Sequence, residues 1–405
     1  MSAVTVSLGL DLSLAGSGDF FTIGATPLGG TAIANTKPIA GDVNTDVTSY
    51  VRSVSLRRGR SKETEKFDAG RATVVLDNRA RTFDPSYTAG PYYGSLKPRK
   101  AVTIDVEGQR VYTGQVEDWN LDYTVGGDST ASVVASDGMT LLAGRTLTGG
   151  TATSQATGAR ITAVLADAMV DWPVARADID TGLATLGADV VEPGAAALAY
   201  LQLVAASEPG SLFIDRNGTL AFRDRTSLQR ATGTTFADDG TGIPFTAVAR
   251  TVGTELVWTN VSVTYTGGTA TSSATAAVQD DYGIVTLPWD TLLSTSGQAQ
   301  DLADFWSGRY SEPTDRIEGL EVIVGDNLTA TQRGAVLALE IGDLVTVTFT
   351  PNGVGDAITQ SLSVEAIEHE ITDGGTRHTV RLSLSTSLSG FIVGKSLLGQ
   401  AVIGF

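Results

Sequence analysis

Apolar and polar residues alternate with a period of two over much of the first third of the chain. Arg52, Val54 and Leu56 fall on one side of a predicted strand and Val51, Ser53 and Ser55 on the other; Ala72, Val74 and Leu76 alternate with Thr73 and Val75; and Val102, Ile104 and Val106 alternate with Thr103 and Asp105. Such alternation predicts strands with one buried face. Asp77-Asn78 and Asp84-Pro85 mark turns, because a short Asx side chain bonds nearby backbone and proline fixes φ. Residues 50–147 therefore read as a small antiparallel barrel or sandwich that ends in a strand at 131–136. Before it, Val4, Val6, Leu8, Leu10 and Leu12 alternate weakly and a Gly/Thr/Ala-rich stretch follows. Residues 1–49 are read as exposed strands with loops, either an assembly arm or part of the first barrel.

Beyond the small-residue connector 146–154 (TLTGGTATS) the period changes. Ile161, Val164, Leu165 and Ala168 share a helical stripe closed by Trp172-Pro173, and a second helix is predicted over 195–207. Next, SLFIDRNGTLAFRDR reads as a β-hairpin turning at Asn217-Gly218, which supplies positive φ. Residues 148–240 are thus read as an α+β unit. Strands return at 256–265. A Gly/Thr/Ser/Ala loop is expected at 266–277 and a helix at 298–310, which makes 267–316 a helix-containing insertion. Further strands are predicted at 320–324, 344–349, 361–367 and 379–384.

Two distant stretches overlay. AVTIDV followed by QVEDWNLDYTVGGDSTASVVAS matches LVTVTF followed by SVEAIEHEITDGGTRHTVRLSLS, with Val116-Glu117 on Val364-Glu365 and Gly126-Gly127 on Gly374-Gly375. The sequence therefore predicts one strand-and-hairpin unit used twice, in two related barrels: 50–147, and 241–266 together with 317–388. The expected fold class is mainly β with smaller α+β parts, namely two related antiparallel β-barrel domains plus an α/β domain bearing a β-hairpin.

At 405 residues there is length for roughly two to four cores. Cysteine is absent, which excludes disulfides and thiolate metal sites, and the chain must hold together by packing and assembly. No apolar run reaches the ~18 residues of a membrane span. Net charge is −17, yet residues 50–110 carry 13 of the 28 Lys and Arg against seven acids. That asymmetry points to a basic patch meeting an acidic partner, with Arg57, Arg58 and Arg60 as candidates for inter-subunit contact. The acidic remainder argues against gripping DNA, though not against a channel through which DNA slides.

Catalytic signatures are weak. HExxH, GxSxG and Walker patterns are absent. His369 and His378 sit on apposed arms of the last predicted hairpin with no third ligand, and read as a surface cross-strand pair rather than a metal site. The carboxylate pairs Asp178/Asp180, Asp238/Asp239 and Asp280/Asp281 fit loop solvation and helix capping better than glycoside hydrolysis. Trp119, Tyr123, Tyr92 and Tyr93 fit packing better than a sugar platform. No catalytic residue, cofactor or metal is assigned. The apolar stretch 391–405 is expected to pack on a neighbouring subunit, with Phe391 and Phe405 as candidate contacts.

Arg58-Gly59-Arg60, Phe67-Asp68-Ala69-Gly70, Val74-Val75-Leu76-Asp77-Asn78, Phe83-Asp84-Pro85 and Gly90-Pro91-Tyr92-Tyr93, in this order, resemble the opening domain of minor tail proteins, the tail hubs of long-tailed, non-contractile bacteriophages. The hairpin near 211–223 and the terminal FIVGKSLLGQAVIGF are also similar to that family. The resemblance implies a hub similar to that of contractile-tail baseplates: two related barrels per subunit, flanked by smaller domains, with three subunits presenting six barrels to a sixfold tail tube. It makes Gly70, Leu76, Asp77, Asn78, Phe83, Asp84 and Pro85 the residues expected to hold the first barrel together. It implies a non-enzymatic virion protein at the distal end of the tail, assembled in the bacterial host cytoplasm. Its expected partners are two further copies of itself, a distal tail ring protein, a tape-measure protein and tail-tip or fibre proteins, with viral DNA passing through without specific binding. A carbohydrate-binding or cell-wall-hydrolysing β-rich protein, and the hexameric distal tail ring protein, are the alternatives.

Overall fold

The computed structural model describes residues 3–10, 43–225, 227 and 230–387. Strands hold 44% of the described residues and helices 19%, so this part of the chain is mainly β. In chain order the first strands are β1 (Val4–Leu10), β2 (Val43–Asp46), β3 (Val51–Gly59), β4 (Asp68–Asp77), β5 (Ala101–Val106), β6 (Gln109–Tyr123) and β7 (Ser129–Ser136). Helix α1 (Gly138–Ala143) leads to the short strands β8 (Gly150–Ala152) and β9 (Gln155–Ala156), then α2 (Thr157–Leu165), β10 (Ala177–Ile179), β11 (Thr185–Leu186), β12 (Asp189–Val191) and α3 (Ala197–Ala206). The hairpin β13 (Ser211–Ile214) and β14 (Leu220–Arg223) follows, then β15 (Arg230–Ala237), β16 (Ala247–Val252), β17 (Asn260–Tyr265), β18 (Gly268–Ser273), α4 (Ala276–Tyr282), β19 (Thr286–Trp289) and α5 (Ser296–Tyr310). The last elements are β20 (Asp315–Ile323), α6 (Ala330–Ala338), β21 (Asp343–Phe349), β22 (Ile358–Thr372) and β23 (Arg377–Thr386).

Thirteen strands form one sheet with two halves of like order. In the first half the sequence of neighbours is β3-β4-β7-β6-β5; in the second it is β16-β20-β23-β22-β21. Every one of these pairings is antiparallel. The likeness reaches single residues. β6 slips register against β7 between Val116 and Asp118, and β22 slips against β23 between Val364 and Ala366. The extra residue is a glutamate both times, the arrangement of a β-bulge. Glu117 accepts a hydrogen bond from the Ser136 hydroxyl at 2.6 Å, and Glu365 accepts one from Ser385 at 2.5 Å. The sequence overlay of Val116-Glu117 on Val364-Glu365 thus has a structural counterpart. Among the described residues the strand order does not return on itself, and the two halves share one seam.

Buried apolar side chains gather in four clusters among the described residues. One fills the first half, with Val54, Leu56, Leu76, Phe83 and Ile104 in it, and another fills the second half, with Phe236, Val322, Val347 and Leu382. A third lies among α1, α2, α3 and the β13–β14 hairpin, and the fourth packs α5 on β17 and β18.

Four local expectations need correction. β1 is not exposed: Val6, Leu8 and Leu10 are buried and the strand pairs with β5 and β2. The strand at 260–265, grouped with the second half from sequence, pairs instead with β18 and β19, because Val261 and Val263 pack in the α5 cluster. The loop expected at 266–277 is largely strand β18, whose threonines and Ala270 satisfy a pleated edge position. In the hairpin of β13 and β14, Gly218 alone has positive φ; Asp215 shapes the turn by accepting from the N–H groups of Asn217 and Thr219, so the loop is longer than a two-residue turn. The expected C-terminal contacts Phe391 and Phe405 lie outside the described residues.

Candidate functional site: the seam and the first-half brace

The two halves meet where β3 pairs antiparallel with the far part of β22, from Gly59 opposite Ala366 to Val54 opposite Ile371. Gly59 is required there. Its φ is +105°, and a Cβ on it would stand 2.1 Å from the Glu365 carbonyl oxygen. The bulge at Glu365 turns that carbonyl outward, and the Arg60 N–H donates to it at 3.0 Å.

Buried charge concentrates at this seam. Glu340 lies between two guanidiniums, 2.7 Å from Arg58 and 3.0 Å from Arg216. Burial pushes its carboxyl up, but the two arginines outweigh burial and hold it down at about 2. Arg216 comes from the β13–β14 turn and also donates to the carbonyls of Leu337, Ala338 and Leu339 at the end of α6. One carboxylate therefore joins β3, the hairpin and the α6–β21 link. Beside it Arg60 donates to Glu365 at 2.6 Å. Of the three arginines expected to reach a neighbouring subunit, Arg58 is only 3% exposed and Arg60 is spent on Glu365; Arg57 alone keeps an exposed side chain. The basic run was visible in the sequence, but its buried carboxylate partners lie about 300 residues away and gave no local signal.

The histidines also depart from expectation. His369 and His378 are 3% and 0% exposed, and Nδ1 of His369 lies 3.0 Å from Nε2 of His378. They form a buried pair because the strand pairing places Ile371 opposite His378 and turns both rings into the core. Burial, then the neighbouring His378, Arg58 and Arg216, holds His369 well below the usual histidine value. Burial alone brings His378 down to about 4. A histidine depressed in the fold stabilises fully above its unfolded value near 6.5, and that stability is lost as pH falls through the folded value. For His378 the loss between pH 7 and pH 4 is expected to be about 3 kcal/mol. Asp137 has the opposite sign: burial lifts it to about 7 against donors from Met139 and Gly70, so it gains on acidification. The difference between wild type and His378→Leu in urea unfolding from pH 7 to 4 isolates the histidine; equal slopes in both proteins would contradict this assignment.

The motif residues build a brace at one end of the first half. Asn78 is buried and its Oδ1 accepts from the Phe83 N–H at 2.9 Å. Phe83 packs edge-on against Tyr50 and stacks with Tyr92 and Trp119. Asp84 accepts from Ser86, Arg81 and the Tyr123 hydroxyl, and these bonds, that of Ser86 foremost, hold its carboxyl below the usual range. Pro85 is exposed on the turn, Leu76 is fully buried, and Asp77 pairs with Arg79 and Arg52. Gly70 donates to Asp137 at 2.7 Å, and a Cβ there would stand 2.6 Å from the same oxygen. Of the aromatics weighed as a sugar platform, Tyr92 and Trp119 pack on Phe83 whereas Tyr93 and Tyr123 are exposed, and the brace fixes Trp119 and Tyr123 on the outer part of β6. Asn78→Ala strands the buried Phe83 N–H and is expected to lower stability by about 1–3 kcal/mol, read by urea denaturation.

Asp178 and Asp180 both bind Arg223. A cavity of about 490 Å³ lies between the β3–β4 link, α3 and Trp289; among the carboxylates that line it, Glu63 and Glu365 are each held by an arginine and the buried Glu208 accepts from the N–H groups of Leu183 and Ala184. Among the described residues no group of three or more His, Cys, Asp or Glu is placed to hold a metal ion, and no helix is long and apolar enough to cross a membrane.

Three solved structures are similar to this chain in fold. The 43 kDa tail protein of prophage MuSo2 from Shewanella oneidensis is 16% identical, with 96% of this chain and 99% of that one covered at a TM-score of 0.60. The tail protein from Neisseria meningitidis MC58 is 13% identical, covering 94% and 96% at 0.58. Prophage tail protein gp18 from Listeria monocytogenes EGD-e is 14% identical, covering 86% and 93% at 0.51. No family model and no curated protein matches the sequence. At these identities the likeness is one of fold, and it agrees with the tail-hub resemblance carried by residues 50–123.

Proposed function

We propose that this protein is a structural, non-catalytic hub at the distal end of a long, non-contractile phage tail, working as a homotrimer. The observation that carries the reading is the duplicated five-strand unit with its bulged glutamates. Three chains would bring six such units, each the barrel-like element of a hub, against a sixfold tube. On the other faces the trimer would meet the distal tail ring protein, the tape-measure protein and tail-tip or fibre proteins. The chain's charge of −17 suits a passage that DNA crosses without being held. Tyr92 and Trp119 packed on Phe83, and Asp178 and Asp180 bound to Arg223, weigh against a glycan-binding or wall-hydrolysing protein. Light scattering on the purified protein tests the reading: a mass three times 42.0 kDa is expected. Six copies would favour the distal ring protein, and a monomer that binds glycan would overturn the hub.

A further inference from the structure

The duplication leaves one seam made and its equivalent open. In the second half, residues 366–371 of β22 carry β23 on one edge and β3 on the other. Matching the bulged Glu117 to Glu365 makes residues 118–123 of β6 their equivalents. These pair with β7 on one edge, whereas β5 covers only residues 109–115 on the other. Among the described residues no strand pairs with the outer edge of 118–123. The equivalent of β3 is β16, which pairs with β20 alone. An open acceptor edge and an open donor strand thus stand at opposite ends of the repeated unit.

We propose that β16 of one protomer adds to the outer edge of residues 118–123 in a second copy of this chain, so that the sheet continues from subunit to subunit. Carrying the register of β3 on β22 across the repeat puts Gly253 opposite Asp118, Val252 opposite Trp119, Ala249 opposite Asp122 and Val248 opposite Tyr123. Unpaired edges are templates for such addition, and apolar cross-strand pairs stabilise it. Val252 and Tyr123, 66% and 52% exposed in the single chain, are the apolar side chains this pairing would cover. Gly253 supplies an independent mark. Gly59, its counterpart, is glycine because the strand beside it leaves no room for a Cβ. Gly253 has room within its own chain, where the nearest atom to a Cβ would be Thr251 Cγ2 at 3.7 Å. A neighbouring strand would impose on it the constraint that β22 imposes on Gly59. The contact joins unlike surfaces, so it propagates head to tail and forms a ring where the rotation between copies closes. The number of copies in that ring, three, rests on the hub reading; the pairing does not.

The chain has no cysteine, so in the double variant Asp122→Cys, Ala249→Cys the introduced thiols are the only ones, and peptide mapping distinguishes a 122–249 link from 122–122 and 249–249 links. The two positions lie seven strands apart in the sheet order of one chain. Oxidation of the full chain is expected to give a ladder on non-reducing gels that ends at three copies, with the 122–249 link between chains by peptide mapping. Adding Gly253→Val should leave the chain folded by circular dichroism and reduce the link at least tenfold. A ladder that ends at six copies would support the pairing and overturn the trimer. A trimer by light scattering with no 122–249 link, a link within one chain, or full linking despite Gly253→Val would overturn the pairing and leave the hub reading standing. A monomer without links would overturn both.

Discussion

Replacing Glu340 with alanine is expected to destabilise the protein by about 3–5 kcal/mol, the usual consequence of leaving buried charge without its partner. Two guanidiniums converge on this carboxylate, and Arg58 has almost no access to water. Removing Glu340 leaves Arg58 and Arg216 facing each other without a counter-charge, and it also removes an acceptor from the N–H groups of Arg216 and Ile341. Glu340→Gln keeps the volume and part of the hydrogen bonding but not the charge, so it should fall between wild type and alanine. Urea unfolding at pH 7 measures both. Wild-type stability in the alanine variant would mean that the seam does not depend on this network. Because β3, the β13–β14 turn and the α6–β21 link share the one carboxylate, the loss should appear as a single cooperative transition at lower urea.

Gly59→Val is the second large effect, again about 3–5 kcal/mol, from two sources that add at one atom. A left-handed φ costs a β-branched residue roughly 1–3 kcal/mol, and overpacking adds about 1–3 kcal/mol. The φ of +105° and the 2.1 Å approach to the Glu365 carbonyl make both unavoidable. Gly59→Ala should act in the same direction and less strongly. The readout is the urea midpoint together with soluble yield. The comparison with Gly253→Val matters most: equal destabilisation of the isolated chain by both would mean that Gly253 is constrained within its own protomer.

Much of this architecture was written in local pattern. Alternation at Val54, Leu56, Val74 and Leu76 marked strands because one face of each is buried. The overlay of residues 101–136 on 344–385 foretold a strand and a hairpin used twice, whereas the bulges at Glu117 and Glu365 were seen only once the strand registers were known. Other features depend on contacts distant in sequence. Nothing near Arg58 announces Glu340, and nothing near His369 announces that β3 pairs alongside it and that its ring is buried. Helix α6 was missed although Thr329 and Gln332 form a capping box at its start, a signal readable in the sequence. β18 was missed because threonine, serine and glycine suit a loop as well as an edge strand. The seam itself could not be foreseen, because pairing between halves is decided by which edges remain open after each half has formed.

The most direct measurement is an averaged electron-microscopy view of the purified oligomer down its symmetry axis. The account predicts three chains presenting six near-equivalent sheet lobes around a central opening. A particle with six chains, or a single chain whose two halves face away from any neighbour, would contradict it.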